Sequence, residues 1–156
     1  MTRTFSDTAH TETPPARVRD LMTPAPLAIS PETSVQAASR LMQEQHLRHL
    51  PVCEDGRLVG LLSECDLRLV LPSPATSLAA HEMHYLLERL TVAEIMTRFP
   101  VTISPDHAVT EAASRMLTHQ VQALPVTEHR RLVGLLTRTH LRYAFVRSQA
   151  AQPLAA

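Results

Sequence analysis

Apolar and polar positions follow a fixed order along the chain. Leu21-Met22 forms a short apolar step, stopped by Pro26, and Leu27–Ile29 then reads as a short strand. After Ser30-Pro31, the residues Val35, Ala38 and Met42 recur at i, i+3 and i+7, which places them on one face of a helix. Two apolar runs come next, Leu50–Cys53 and Leu58–Leu62, separated by Glu54-Asp55-Gly56-Arg57. An Asp-Gly pair between such runs predicts a tight hairpin. Ser63 stands where it caps a further helix, which the pattern ends near Leu71.

The whole series is then written again. Residues 18–68 align with 92–142 without a gap, and about 22 of the 51 positions are identical. Ile95-Met96, Pro100, Val101–Ile103, the stripe Val109, Ala112 and Met116, Leu124-Pro-Val126 and Arg131–Leu136 repeat the first copy. The second turn, Glu128-His129-Arg130-Arg131, lacks glycine, so its hairpin is predicted from the repeat alone. Thr137 caps the last helix, expected to end near Val146. Each copy therefore reads strand, helix, hairpin, helix. That is an α+β fold with helices on one face of a small sheet, in two repeats. A unit of about 50 residues supports only a thin core, so the copies are expected to pack together.

The remaining segments divide the chain. Residues 1–16 are rich in Thr, Ser and Pro and read as a disordered tail, as do 148–156. The first repeat unit takes 17–71 and the second 92–147. Between them, 72–91 holds a stiff linker, Pro72-Ser-Pro-Ala-Thr-Ser77, and a helix over Leu78–Leu90 with an apolar stripe of Leu78, Tyr85, Leu86, Leu87 and Leu90.

Composition removes several classes of function. Fifteen Lys+Arg balance fifteen Asp+Glu, so the basic footprint of a nucleic-acid binder is missing. Aromatics are 3% and Trp is absent, which argues against a base-stacking platform. No apolar run reaches the length of a membrane span. The start has no apolar core of a secretory signal, and Asp7 and Glu12 argue against a transit peptide. Two cysteines, Cys53 and Cys65, make no disulfide framework, so a reduced, cytoplasmic setting is expected. Zero net charge favours self-association.

Catalysis is not expected. The chain has no Gly-x-Ser-x-Gly elbow, P-loop or His-Glu-x-x-His, and only three glycines. Cys65 lies near a helix start, but Glu64 and Asp66 oppose thiolate formation there. His81 and His84, and His46 and His49 with Cys53 beyond, have helical or local spacing without a recognisable third ligand, so no metal is expected. Met22, Met42, Met96 and Met116 occupy equivalent positions and read as packing.

The ordered set Met-Thr-x-x-Pro, Val-x-x-Ala-x-x-x-Met, Leu-Pro-Val and Gly-Leu-Leu-[Ser/Thr]-x-x-[Asp/His], present twice over roughly 18–146, resembles a tandem pair of cystathionine-β-synthase (CBS) domains, the Bateman module, in its stand-alone bacterial form. The resemblance implies two copies related by pseudo-twofold symmetry with two clefts between them. It further implies a homodimer, and adenosyl ligands such as AMP, ADP, ATP or S-adenosylmethionine, held as regulatory ligands and not as cofactors.

Ser63 falls where a strand passes into a helix, and the N–H groups there favour an anion. Asp66, one turn on, can accept two hydrogen bonds from a ribose diol. The same spacing is that of a capping box, which is the better reading from spacing alone. The resemblance turns it toward Ser63 for phosphate and Asp66 for ribose, with adenine read by Val101, Gln122 and Ala123 of the other copy. In the second cleft the counterparts are Thr137, His140, Leu27, Arg48 and His49. His140 stands where the family has Asp and cannot grip a diol with two acceptors. That cleft is expected to be weaker: empty, differently specific or pH-sensitive.

The function expected is a regulatory module that senses adenosyl ligands and transmits by a change of shape or assembly to a separate effector protein. The alternative is a ligand-independent dimerisation scaffold with a vestigial cleft.

Overall fold

The computed structural model describes residues 16–71 and 79–150. In the first copy, α1 (Val18–Leu21) and β1 (Thr23–Pro24) precede α2 (Val35–Glu44), the strands β2 (His49–Glu54) and β3 (Arg57–Ser63), and α3 (Glu64–Val70). After the connecting helix α4 (Ala80–Arg89), the series returns as α5 (Val92–Ile95), β4 (Thr97–Arg98), α6 (Val109–His119), β5 (Ala123–Glu128), β6 (Arg131–Thr137) and α7 (Arg138–Ala150). The linker 72–77, Leu78 and the expected tail residues 1–15 and 151–156 lie outside the described residues, while 148–150, expected in a tail, belong to α7.

Both hairpins form in matching register, Leu50 opposite Leu62 and Leu124 opposite Leu136, each with an irregularity after Val52 or Val126. The turns are of the same kind. Asp55 and Gly56 have φ of 50° and 75°, and His129 and Arg130 have 49° and 66°. Positive φ at both central residues gives the backbone twist that a two-residue hairpin requires.

Two expectations are corrected. Leu27–Ile29 and Val101–Ile103 do not form strands; each contributes one parallel bridge, Ile29 to Val52 and Ile103 to Val126. Prolines stop the ladder on both sides. Ile29 donates to the Pro51 carbonyl (3.0 Å) and accepts from Cys53 (2.8 Å). The next bond inward would need an N–H from Pro51, and the next outward one from Pro31, and neither has one. Pro125 and Pro105 impose the same limit on Ile103. The last helix also runs on to Ala150, past Val146.

The two copies are folded through each other. β1 of the first pairs with β6 of the second, Thr23 opposite Leu135, and β4 of the second pairs with β3 of the first, Thr97 opposite Leu61. The short helices follow their strands. Val92 N–H donates to Thr33 O (2.8 Å) and Val35 N–H to Leu90 O (2.8 Å), while Val18 N–H donates to His107 O and Val109 N–H to Ala16 O (both 3.0 Å). Val92 is consequently buried with Ile29, Val35, Leu50, Val52 and Leu62. Val18 is buried with Ile103, Leu124, Val126 and Leu136. Leu87 and Leu90 of the connecting segment pack on the first of these cores, whereas Tyr85 and Leu86 of the expected stripe remain exposed. Among the described residues no helix is long and apolar enough to cross a membrane.

Candidate functional site

The reciprocal pairing brings the end of β3 beside the segment that follows β4, and the end of β6 beside the segment that follows β1. A cleft opens at each junction. The first is a cavity of about 490 Å³ whose walls come from both copies: Ser63, Glu64, Cys65 and Arg68 on one side, and Phe99, Val101, Gln122 and Ala123 on the other. That volume lies within the usual range for small-molecule sites.

Ser63, Val101, Gln122 and Ala123 are thus brought together as expected. Asp66 is placed differently: it stands half-buried behind Ser63 and does not line the cavity. Its Oδ2 accepts from Ser63 N–H (2.8 Å) and Ser63 Oγ–H (2.7 Å), and Ser63 Oγ accepts from Asp66 N–H (3.2 Å). The capping box is therefore formed. Among the described residues no hydrogen bond reaches the other carboxylate oxygen, Oδ1. Arg48 and His49, expected in the second cleft alone, stand on the wall common to both. Burial lowers the pKa of the His49 imidazole, opposed by the nearby Asp66 carboxylate; Arg48 lowers it further and Glu64 raises it.

The second cavity, about 680 Å³, gathers Leu27, Arg48, His49, Thr137 and His140, again with Gln122 at the shared wall. Here His140 reproduces the cap. Its Nδ1 accepts from Thr137 N–H (3.0 Å), a donor that can only donate, so the neutral ring carries its proton on Nε2. That Nε2–H faces Thr23 Oγ1 at 3.3 Å, on the strand lent by the first copy. Both ring nitrogens are occupied, and burial lowers the His140 pKa.

Several lining residues were not legible from the motifs. Phe99 is 92% exposed at the first cavity with φ of 50°, and its counterpart Ala25 has φ of 42°. The shared angle shows that the repeat's backbone sets this turn, and in the first cleft it leaves an aromatic ring open to solvent at the cavity, which no motif shows. Arg68 in the first cleft and Arg142 in the second lie just over one turn of helix from the capping positions, whereas Arg138 and Thr139 directly follow Thr137. Among the described residues no group of three or more His, Cys, Asp or Glu side chains converges as a metal site. His84 instead bonds to Gln36 (2.9 Å) and approaches Glu88 (3.1 Å).

Two repeats exchanging their first strands around paired clefts define a tandem CBS pair. The CBS domain model matches residues 18–73 and 92–147, and the chain belongs to this family. It is 33% identical over 126 residues to a CBS domain-containing protein of Dictyostelium discoideum, covering 80% of this chain and 87% of that protein. It is 35% identical over 121 residues to the homoserine O-acetyltransferase of Methanococcoides burtonii, covering 76% of this chain but only 22% of the enzyme. Among solved structures, CBSX2 in complex with AMP is similar at a TM-score of 0.70 with 28% identity, covering 85% of this chain and 98% of that one.

Proposed function

We propose that this CBS pair is a regulatory module that takes an adenosyl ligand into the first cleft. The observation that carries the reading is the cavity shared by Ser63 at the start of α3 and by Val101 and Ala123 of the other copy. Phosphate suits the Ser63 end, where Arg68 lines the cavity. Asp66 is the acceptor for the ribose, through its Oδ1, which no hydrogen bond reaches among the described residues and which must turn toward the cavity. Backbone groups at Val101 and Ala123 read adenine. A ligand there touches both repeats at once, so it biases their mutual angle; to regulate, it must bind one angle more tightly than another. The chain acts as a non-catalytic homodimer in the cytoplasm and passes the change to an effector protein. AMP bound by the similar CBSX2 supports an adenosyl ligand.

One observation favours a ligand-independent dimerising scaffold: Asp66 already has a structural task in the cap. Thermal unfolding with AMP, ADP, ATP and S-adenosylmethionine separates the two readings. A ligand at 100 times its dissociation constant adds about 2.7 kcal/mol to stability. The decisive variant is Asp66→His, which copies position 140 and keeps the cap. We expect it to unfold like the wild type without ligand and to lose the ligand response. No response of the wild type to any of the four leaves the scaffold.

A further inference from the structure

The clefts are related by the repeat, so their lining residues correspond, and the counterparts differ in charge in one direction. Glu64 and Asp66 at the start of α3 become Arg138 and His140 at the start of α7. Arg68 corresponds to Arg142, and Arg48, His49 and Gln122 line both cavities, so the difference in charge lies at the two helix starts. The second cavity is consequently lined by three arginines, Arg48, Arg138 and Arg142, and three histidines, with no carboxylate among its lining residues.

In the first cleft the guanidinium groups are already answered: Glu64 lies 2.7 Å from Arg68 and 4.0 Å from Arg48. In the second, among the described residues, no carboxylate lies within salt-bridge distance of Arg138 or Arg142. These two arginines occupy i and i+4 on α7, where like charges repel. They also crowd the positive end of the helix, whose first turn holds no acidic residue. A helix start of this composition works against itself until an anion sits before it. His140 offers no acceptor to a sugar diol, because both its nitrogens are engaged.

We propose that the second cleft is a binding site for a chain of phosphates, of the pyrophosphate or triphosphate class, recognised without a sugar diol. Arg138 and Arg142 grip the oxygens by charge-assisted hydrogen bonds. The site does not depend on the adenosyl reading of the first cleft.

The test is calorimetric titration of the full chain at neutral pH with inorganic triphosphate, pyrophosphate, ATP and adenosine, at low and high salt. Triphosphate is expected to bind once per chain, more weakly as salt rises, while adenosine alone does not enter this cleft. Arg138→Glu restores the acid found at the equivalent place in α3, and Arg142→Ala keeps a strong helix former, so both should fold. Each is expected to weaken triphosphate binding at least about tenfold and to leave the response of the first cleft to AMP unchanged. The proposal is overturned if triphosphate does not bind, if neither variant weakens it, or if ATP binds at this cleft while triphosphate does not. Failure of AMP binding alone bears on the first cleft and leaves this site standing.

Discussion

Met96 lies across Gly60 so closely that a methyl group on Gly60 would collide with the Met96 sulfur, and Met22 covers Gly134 in the same way. Each contact joins a first-strand arm to the hairpin of the opposite copy, so both glycines serve close approach. Gly60→Ala is expected to cost about 1–3 kcal/mol in urea unfolding through overpacking. The cost should shrink in a Met96→Ala background, which a double-mutant cycle measures. Because Val18 and Val92 are buried in each other's cores, both copies should lose structure in a single transition.

The second hairpin turn carries a strain that the first avoids. Arg130 holds φ of 66° without being glycine, a conformation costing roughly 1–2 kcal/mol for an L-residue. Glycine returns part of that as extra freedom of the unfolded chain, about 0.5–1 kcal/mol. Arg130→Gly should therefore raise stability by about 0.5–1 kcal/mol, read from the denaturation midpoint at constant slope.

Stability should fall as the solution is acidified below about pH 6.5. The pKa values of His49 and His140 are both lowered from 6.5 by burial, so the unfolded chain binds protons more readily than the folded one. Their contribution is complete above that value and is lost as pH drops through the folded values. His140→Asp keeps an acceptor for Thr137 N–H and should flatten part of the fall, a difference visible in melting temperatures between pH 7 and 5.

Phe99 separates binding from stability. It buries almost nothing and occupies an unfavourable backbone region, so Phe99→Gly should leave the unfolding temperature unchanged or raise it. Stacking of a base on an aromatic ring contributes roughly 1–3 kcal/mol, so the same substitution should weaken the adenosyl ligand at least about fivefold by titration. Unchanged affinity would remove Phe99 from the site.

The repeat, the α+β class, the first hairpin and the capping positions Ser63 and Thr137 were legible along the chain, because they rest on local periodicity, turn chemistry and helix caps, and the second hairpin followed from the repeat. The sequence also placed Val101, Gln122 and Ala123 near Ser63, through likeness to a family. Tertiary structure alone decided that Val18 and Val92 change cores, since a four-residue helix buries its apolar side wherever a complementary groove lies. Only the folded chain revealed that His140 fills the cap of an absent aspartate, because that equivalence depends on which ring nitrogen meets Thr137. The unopposed charge of Arg138 and Arg142 was equally hidden. In a chain with zero net charge, a local excess exists only once folding decides which carboxylates stand near which guanidinium groups.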